Sequence, residues 1–485
     1  MPQRSWARAS IMLLVAVVRT TSTADAQATI ADTLSRGRIV PVVASRLDTA
    51  ERYALYLPTR YDAARTWPAL LVMDPRGRAL IGARLFEEAA ERDGYIVLSS
   101  YNTVSDSTEE PNDLALNAML REIQTRYTVD LHRVYLAGFS GTARLAWGFA
   151  AQLNGHVAGV IGFGASVPWS APEALMQLRR LPRLAFFGGT GTLDFNYDEV
   201  MTFDATLDLM PSIVHRVTFY PGPHRWPPAS VCDAALDWMQ LQAMRAGLTA
   251  VDDSVVRIQY DARSATARAA VDAGDASTAW YDYRSIVADF TGLHDVTAAT
   301  AAVAALSRSA DLRRALDRRQ RLHNAHAAYT EHALLPYLAS VEHDPHPPST
   351  AAAVRELDLV SLQRRAADTT DRLDAEAAQR TLNNVRTVLG YYEPRRYFAS
   401  HDPARAVALL QVARAMQPTD PSDCWWLARG YALLAQRAKA LDALQCASAR
   451  GSDLTAADVR SDSAFTTLRD DPEFKAIIAT LPDAP

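Results

Sequence analysis

The sequence predicts an α/β fold, a doubly wound and mostly parallel sheet, followed by an all-α helical-repeat domain. Over residues 27–250, short apolar runs of strand character alternate with longer helical patterns. Such alternation is typical of a parallel sheet covered by helices on both faces. From residue 251 onward the strand patterns stop, and alanine-rich helical patterns continue to the C-terminus. A length of 485 residues fits two or three domains.

The α/β part is predicted to contain eight strands separated by helices. The first two strands are expected to be antiparallel, and Ala69–Met73 is apolar throughout, as in a strand buried on both faces. The strands are predicted at 38–45, 52–57, 69–73, 95–99, 134–137, 157–163, 184–187 and 216–220. The helices are predicted at 80–92, 113–127, 143–151, 197–210 and 229–245.

The net charge argues against nucleic acid as a partner, and the N-terminal pattern indicates the compartment. A net charge of −5 argues against nucleic-acid binding. Arg4 and Arg8 precede the apolar run Ile11–Val18, and Ala24-Asp-Ala26 follows as a small-residue cleavage site. This pattern predicts a secretory signal peptide over residues 1–26, and so a periplasmic or secreted protein with no membrane span after cleavage. A retained N-terminal anchor is the alternative.

The helical part contains an internal repeat. Ala404–Leu410 matches Ala438–Leu444 at an offset of 34 residues. A 34-residue period with small residues at helix crossings is typical of tetratricopeptide-type hairpins. We predict such repeats, with capping helices, over residues 401–485, and a helical stacking region over residues 251–400. A protein or peptide is the partner expected on such repeats, and the arginine-rich run Leu312–Arg321 is expected to be a solvent-exposed helix face.

The stretch around Ser140 is the candidate for chemistry. The strand-like run Val134–Ala137 leads into Gly138-Phe-Ser-Gly141, and a helical pattern follows at once. A strand, a tight turn and a helix lift the apical hydroxyl clear of the sheet. The amide of Gly141, at the helix N-terminus, then points to where an oxyanion would form. The alternative is an ordinary strand–turn–helix crossover with a chance serine.

A reactive serine needs a base and an acid that orients the base. Asp194 lies in the loop after the strand at 184–187, whereas Asp198 falls in the first turn of the next helix, where a carboxylate is favourable anyway. We therefore favour Asp194. His224 follows the last strand and can reach Ser140, whereas His215 lies at the opposite end of that strand.

Two backbone donors are needed for an oxyanion. Gly141 supplies one, and the turn after Ala69–Met73 is expected to supply the other. Pro75 has no N–H, so Arg76 is the predicted second donor, with Gly77 behind it.

Residues 28–247 resemble the α/β-hydrolase superfamily, and within it the secreted polyhydroxybutyrate depolymerase and feruloyl esterase group. The resemblance rests on the stretch Arg126–Ser140 and on the Gly-x-His-x-Trp-Pro-Pro segment that ends at Pro228. It implies that Ser140 is the nucleophile, that the acid after the seventh strand orients the base, and that the base is the histidine after the last strand, His224. Two positions depart from the family pattern: Thr142 replaces a glycine, and Asp74-Pro75 replaces the usual His-Gly.

These observations predict an exported serine hydrolase that cleaves a small-molecule or polymeric carboxylic ester. No metal or organic cofactor is implied. With no long insertion to form a lid, the cleft is expected to be open. The helical half is expected to recruit or position a partner and to take no part in catalysis; the alternative is that one of its helices roofs the Ser140 cleft and shapes the substrate pocket. Amidase or peptidase activity would use the same residues. A degenerate hydrolase domain serving as a protein-binding scaffold is the alternative from another class.

The chain has three cysteines, which is not a disulfide framework. Cys424 and Cys446 fall about equally far from a predicted turn between adjacent helices, and this spacing permits a bridge. Two separate small buried cysteines are the alternative.

Overall fold

In the computed structural model, one eight-stranded sheet forms the first half of the chain and helices form the second half. The structure describes residues 34–106, 110–153, 155–167, 176, 183–344, 346–418, 420–449 and 454–483. The predicted signal peptide at residues 1–26 lies outside these ranges. No helix within them is both long enough and apolar enough to cross a bilayer.

The sheet has the strand order β1-β2-β4-β3-β5-β6-β7-β8. β1 pairs antiparallel with β2, and β2 pairs antiparallel with β4, as predicted for the lead-in strands; all remaining pairs are parallel. The carboxyl ends of the parallel strands therefore share one edge of the sheet, where ligands bind in open α/β sheets. The strands are β1 Ile39–Ala44, β2 Arg52–Tyr56, β3 Trp67–Met73, β4 Ile96–Ser100, β5 Val129–Phe139, β6 Gly159–Phe163, β7 Leu184–Gly191 and β8 Ile213–Tyr220.

Helices cover both faces of the sheet, so the doubly wound prediction agrees with the structure. β3 is buried along its whole length: Leu71 faces a core that includes Trp147 and Phe203, whereas Leu70 faces a core that includes Phe86 and Trp238. The helices of this half are α1 Ala79–Leu85, α2 Glu87–Asp93, α3 Glu110–Thr125, α4 Gly141–Gln152, α5 Tyr197–Leu207 and α6 Ala229–Arg245.

The described residues after Arg245 contain helices and no strand. They are α7 Asp253–Asp272, α8 Ala276–Phe290, α9 Thr297–Ser307, α10 Ala310–Tyr329, α11 Leu335–His343, α12 Thr350–Glu356, α13 Leu359–Ala366, α14 Arg372–Thr387, α15 Glu393–Ala399, α16 Pro403–Met416, α17 Pro421–Leu433, α18 Arg437–Ala449, α19 Ala456–Ser461 and α20 Pro472–Ile478, with a 3₁₀ turn at Ser463–Leu468.

Two short π-helical segments interrupt this half. Thr330–Leu334 joins α10 to α11, and Val388–Tyr392 joins α14 to α15. Each lies just before a proline, Pro336 or Pro394. Proline has no N–H and clashes with the carbonyl four residues earlier, so a locally wider turn lets the helix continue past it.

The sequence repeat falls on α16 and α18. Ala406 and Ala440, which are 34 residues apart, are both fully buried, as small residues at helix crossings must be. Cys424 on α17 and Cys446 on α18 form a disulfide with their Cα atoms 5.8 Å apart. The assignment of this array to the tetratricopeptide class stays a prediction.

The two halves share a buried polar contact at Asp289 of α8. Oδ1 of Asp289 accepts hydrogen bonds from Nε1 of Trp238 (2.9 Å) and Nε2 of Gln242 (3.1 Å), both on α6. Its Oδ2 pairs with Arg263 of α7 at 2.7 Å. Because a buried carboxylate is costly without partners, these contacts tie the helical half to the last helix of the sheet domain.

Candidate active site

Ser140 occupies a strained turn between β5 and α4. Its backbone has φ 55° and ψ −126°, a conformation that L-residues rarely adopt and that is found mainly at functional positions. Its N–H donates to the carbonyl oxygen of Phe163 at 2.8 Å, which holds the turn to β6. A Cβ on Gly138 would lie 2.4 Å from the carbonyl oxygen of Thr142, so only glycine fits there. The predicted elbow is therefore present.

Thr142 fits the position where the resembling family has glycine, because its hydroxyl is fully bonded. The side chain is completely buried. Its Oγ1 lies 2.6 Å from the carbonyl oxygen of Met73 and 2.9 Å from that of Phe139, and it accepts the N–H of Phe139 at 3.1 Å. The threonine thus fastens the elbow to the end of β3, which a glycine could not do.

The structure brings His224 and Asp194 to Ser140, as the sequence predicted. Nε2 of His224 lies 2.8 Å from Oγ of Ser140, and Nδ1 lies 2.8 Å from Oδ2 and 2.9 Å from Oδ1 of Asp194. A carboxylate only accepts hydrogen bonds, so Nδ1 carries the ring proton and Nε2 is free to accept from the serine. Asp194 is fully buried, whereas the His224 side chain keeps 20% of its surface exposed.

Two aromatic rings fix the plane of the His224 imidazole. The centroid of Phe139 lies 4.7 Å from that of the imidazole, and the centroid of Phe195 lies 4.2 Å from it. Phe139 directly precedes the serine and Phe195 directly follows the aspartate. The loops that carry the three polar residues therefore also hold the imidazole in place.

His215 and Asp198, the residues that the sequence did not favour as base and acid, contact other residues. Nε2 of His215, on β8, lies 3.4 Å from Asp204 and 3.6 Å from Asp208, away from Ser140. Asp198, in the first turn of α5, contacts Nδ1 of His323 at 2.8 Å. This aspartate joins the sheet domain to the helical half rather than to His224.

The structure does not support Arg76 as an oxyanion donor. Its N–H donates to Oδ1 of Asp74 at 2.8 Å, and the N–H of Gly77 donates to the carbonyl oxygen of Asp74 at 3.1 Å. Asp74 thus occupies both amides, that of Arg76 with its carboxylate and that of Gly77 with its carbonyl oxygen. Gly141, by contrast, is the first residue of α4, where an amide has no partner within the helix.

Asp74 is the centre of a buried network beside the site. Its carboxylate is fully buried and accepts from the Arg78 guanidinium, at 3.0 Å to each oxygen, and from Nε1 of Trp226 at 2.8 Å. Burial alone would raise the pKa of this carboxyl, but the hydrogen bonds from Arg78, Trp226 and the Arg76 amide outweigh it and lower the pKa. Asp74 is therefore held ionised.

Arg144 links α4, the helix after Ser140, to α5, the helix after Asp194. Its Nη1 lies 2.7 Å from Oε1 of Glu199, at the start of α5, and it also donates to the carbonyl oxygen of Ser166 at 2.8 Å. Burial would raise the pKa of Glu199, but the charge of Arg144 and the hydrogen bonds from Ser166 lower it. Sequence analysis did not single out this pair, because its residues lie 55 positions apart.

The helical half contacts loops on two sides of this site. Nη1 of Arg380 donates to the carbonyl oxygen of Thr192 at 3.0 Å, and Nδ2 of Asn383 donates to that of Leu193 at 2.7 Å. These carbonyls directly precede Asp194. Oη of Tyr391 donates to Asp106 at 2.8 Å, on the loop beside Gly141. No local sequence pattern could have indicated these contacts.

Comparison with known proteins gives only distant likenesses. No protein-family model and no curated protein sequence matches this chain. A ferulic acid esterase is 14% identical, with 42% of this chain aligned to 97% of that one at a TM-score of 0.33. FphF, a fluorophosphonate-binding serine hydrolase of Staphylococcus aureus, is 14% identical over 42% of this chain and 99% of its own, with a TM-score of 0.35. Esterase B of Lactobacillus rhamnosis is 16% identical over 47% and 96%, with a TM-score of 0.35. Likeness at this level shows nothing about the activity of this chain.

Proposed function

We propose that this chain is a serine hydrolase that cleaves a carboxylic ester through an acyl-enzyme intermediate. The observation that carries the proposal is the continuous hydrogen-bonded chain from Ser140 through His224 to Asp194, set on a strained elbow at the carboxyl edge of the sheet. Each role follows from position: nucleophile, base and orienting acid. No metal or organic cofactor is needed for these steps.

In this mechanism Oγ of Ser140 attacks the ester carbonyl carbon while Nε2 of His224 takes the hydroxyl proton. The amide of Gly141 donates to the carbonyl oxygen as it becomes an oxyanion. Collapse of the tetrahedral intermediate breaks the bond to the alcohol oxygen, which leaves with the proton held by His224. A water molecule then attacks the acyl-serine by the same steps, which releases the acid and restores Ser140.

A small activated ester and a fluorophosphonate test this proposal. Wild-type protein should hydrolyse the ester and form a covalent adduct on Ser140, located by peptide mass mapping. Ser140→Ala should lose both, with turnover reduced on the order of a thousandfold or more. Unchanged turnover in Ser140→Ala, or an adduct on another residue, would disprove the assignment. A wild-type chain that neither labels nor turns over would instead favour the protein-binding scaffold.

We also propose that the chain acts outside the cytoplasm and that its helical repeats contact a protein or peptide. Export is supported by the N-terminal sequence pattern alone, and the repeat partner by the 34-residue period alone. Mass measurement of the mature N-terminus tests the first: cleavage after Ala26 is expected. A chain recovered with residues 1–26 attached to membranes would favour the retained anchor.

A further inference from the structure

We infer that Asn383 and Arg380, on helix α14 of the helical half, are positioning residues that hold the loop of Asp194 in its working geometry. This inference rests on the proposed function, because it assigns the helical half a part in the same reaction. It replaces the simpler expectation that catalysis needs nothing after residue 250.

The loop that carries Asp194 is hydrogen-bonded on two sides. The N–H groups of Thr192 and Leu193 donate to the carbonyl oxygens of Tyr220 (2.8 Å) and Gly222 (2.9 Å), which lie just before His224. The carbonyl oxygens of the same two residues point the other way and accept from the helical half. In the peptide unit between Thr192 and Leu193, the N–H is thus fixed by the histidine loop and the carbonyl oxygen by α14.

The orientation of the Asn383 amide is fixed by a hydrogen bond within α14. Nε2 of Gln379 donates to Oδ1 of Asn383 at 2.9 Å, so the oxygen of the amide is engaged within α14. The nitrogen is left to face the carbonyl oxygen of Leu193 at 2.7 Å. Leu193 precedes Asp194 directly, so a shift of this carbonyl moves the carboxylate that orients His224.

The Arg380 side chain is itself held in place by its neighbours. The Arg380 side chain is only 8% exposed; its guanidinium lies 4.0 Å from the centroid of the Tyr197 ring, and its Nε lies 3.8 Å from Asp198. Asp198 also accepts from His323 of α10. Two helices of the second half therefore hold the segment from Thr192 to Asp198.

The segment that follows α14 also reaches the opposite lip of the cleft. The π-helical segment after α14 carries Tyr391, which bonds Asp106. The neighbouring Ser105 packs so closely on Gly141 that a Cβ there would lie 2.5 Å from the Ser105 Cβ. A support fixed at both lips can set the distance between the acid and the oxyanion amide, and displacements of about 1 Å at such a site cost up to about a hundredfold in rate.

The test compares Asn383→Asp with Asn384→Asp in the full-length protein. Aspartate at 383 keeps the shape but replaces the donor with an acceptor that repels the Leu193 carbonyl. Asn384 is its neighbour on α14, and its side chain makes no hydrogen bond to any residue that the structure describes. Active sites are titrated with a fluorophosphonate, so that kcat refers to the folded, reactive fraction.

We expect kcat per titrated site to fall on the order of ten- to a hundredfold in Asn383→Asp, with KM changed much less. Asn384→Asp should match wild type in both readouts. Arg380→Lys, which keeps the charge but loses the planar fork, should fall between them.

A purely structural role predicts something different: fewer sites that react with the fluorophosphonate, each with wild-type kcat and KM. That result would overturn the inference. Asn383→Ala removes the donor without adding charge, and it decides the question in the same way if Asn383→Asp fails to fold. A wild-type protein without Ser140-dependent turnover would instead disprove the proposed function, since the inference concerns changes relative to an active wild type.

Discussion

Nε1 of Trp226 donates a hydrogen bond of 2.8 Å to Oδ2 of Asp74 and so ties the loop of His224 to the turn after β3. Trp226→Phe keeps the aromatic ring against Phe139 but removes this donor. We expect a loss of about 1–3 kcal/mol in unfolding free energy, because a buried carboxylate loses one of its partners. Urea denaturation measures it, and ester turnover should fall as the loop loosens.

The control for this change is Trp280→Phe, which removes an indole donor bonded to Ser307 near the surface. It should change stability by no more than about 0.5 kcal/mol. Equal losses in the two variants would mean that the link from Trp226 to Asp74 has no special weight.

His224→Ala should reduce ester turnover as strongly as Ser140→Ala, on the order of a thousandfold, because the members of a triad act as a unit. His215→Ala should reduce it little, since His215 lies beside Asp204 and Asp208 instead. Steady-state kinetics of the two variants with one activated ester provide the measurement. The reverse ranking would mean that another histidine is the base.

Thr142→Val should be less stable than Thr142→Ser. Valine matches threonine in shape but leaves the carbonyl oxygen of Met73 and the N–H of Phe139 without this partner. An unsatisfied buried polar group costs about 1–3 kcal/mol, whereas serine keeps the hydroxyl. Chemical denaturation of both variants checks the order. If valine is tolerated as well as serine, the hydroxyl does not fasten the elbow to β3.

The bridge between Cys424 and Cys446 should be detectable by mass. Under denaturing conditions an alkylating reagent should label only Cys232 without reductant, and all three cysteines after reduction. Reduction should lower the unfolding free energy of the helical array by about 3 kcal/mol, as expected for closing a loop of this length. Three labelled cysteines in the unreduced protein would contradict the bridge.

Acidification should lower the stability of the folded chain through His326 of α10, whose Nδ1 lies 4.0 Å from Asp198 of the sheet domain. Burial, the largest cause, lowers the pKa of His326 below 6.5; Asp198 opposes the shift, and Arg380 and His323 add to it. Between the lowered pKa and 6.5 the unfolded chain binds more protons, so stability falls as pH falls through this window. His326→Asn keeps a hydrogen-bonding group toward Thr381 but does not titrate.

Unfolding free energies measured from neutral pH to about pH 5 should therefore decline less in His326→Asn than in wild type. The pKa of Asp198 is itself lowered, since the His323 hydrogen bond and the nearby positive charges outweigh the effect of burial. Its contribution is present above 3.8 and is lost only as pH falls below that value. Parallel curves for the two proteins would show that His326 does not account for the loss of stability in acid.

The local sequence determined the strands and the three polar residues of the site. Strand and helix periodicities are set by neighbouring residues, so the eight strands could be predicted to within a few positions at most ends. Ser140, Asp194 and His224 each follow a recognisable strand, and the carboxyl ends of parallel strands share one edge. Their convergence follows from chain order once the sheet is parallel.

The tertiary structure decided what surrounds those residues. Arg76 lost its expected role because the buried Asp74 carboxylate competes for its amide, and no spacing rule records such a competition. Arg319 was expected on a solvent-exposed face, yet its Nη2 donates to Oη of Tyr197 and its guanidinium lies 4.8 Å from the Phe219 centroid.

The contact of Asn383 with the Leu193 carbonyl spans 190 residues. Such contacts depend on how one domain seats on another, which is set by the summed shape and burial of both surfaces. The pattern of any one segment does not encode that sum. The sequence by itself therefore determined which residues form the candidate triad, and only the tertiary structure showed that the second half of the chain contacts the loop that holds its acid.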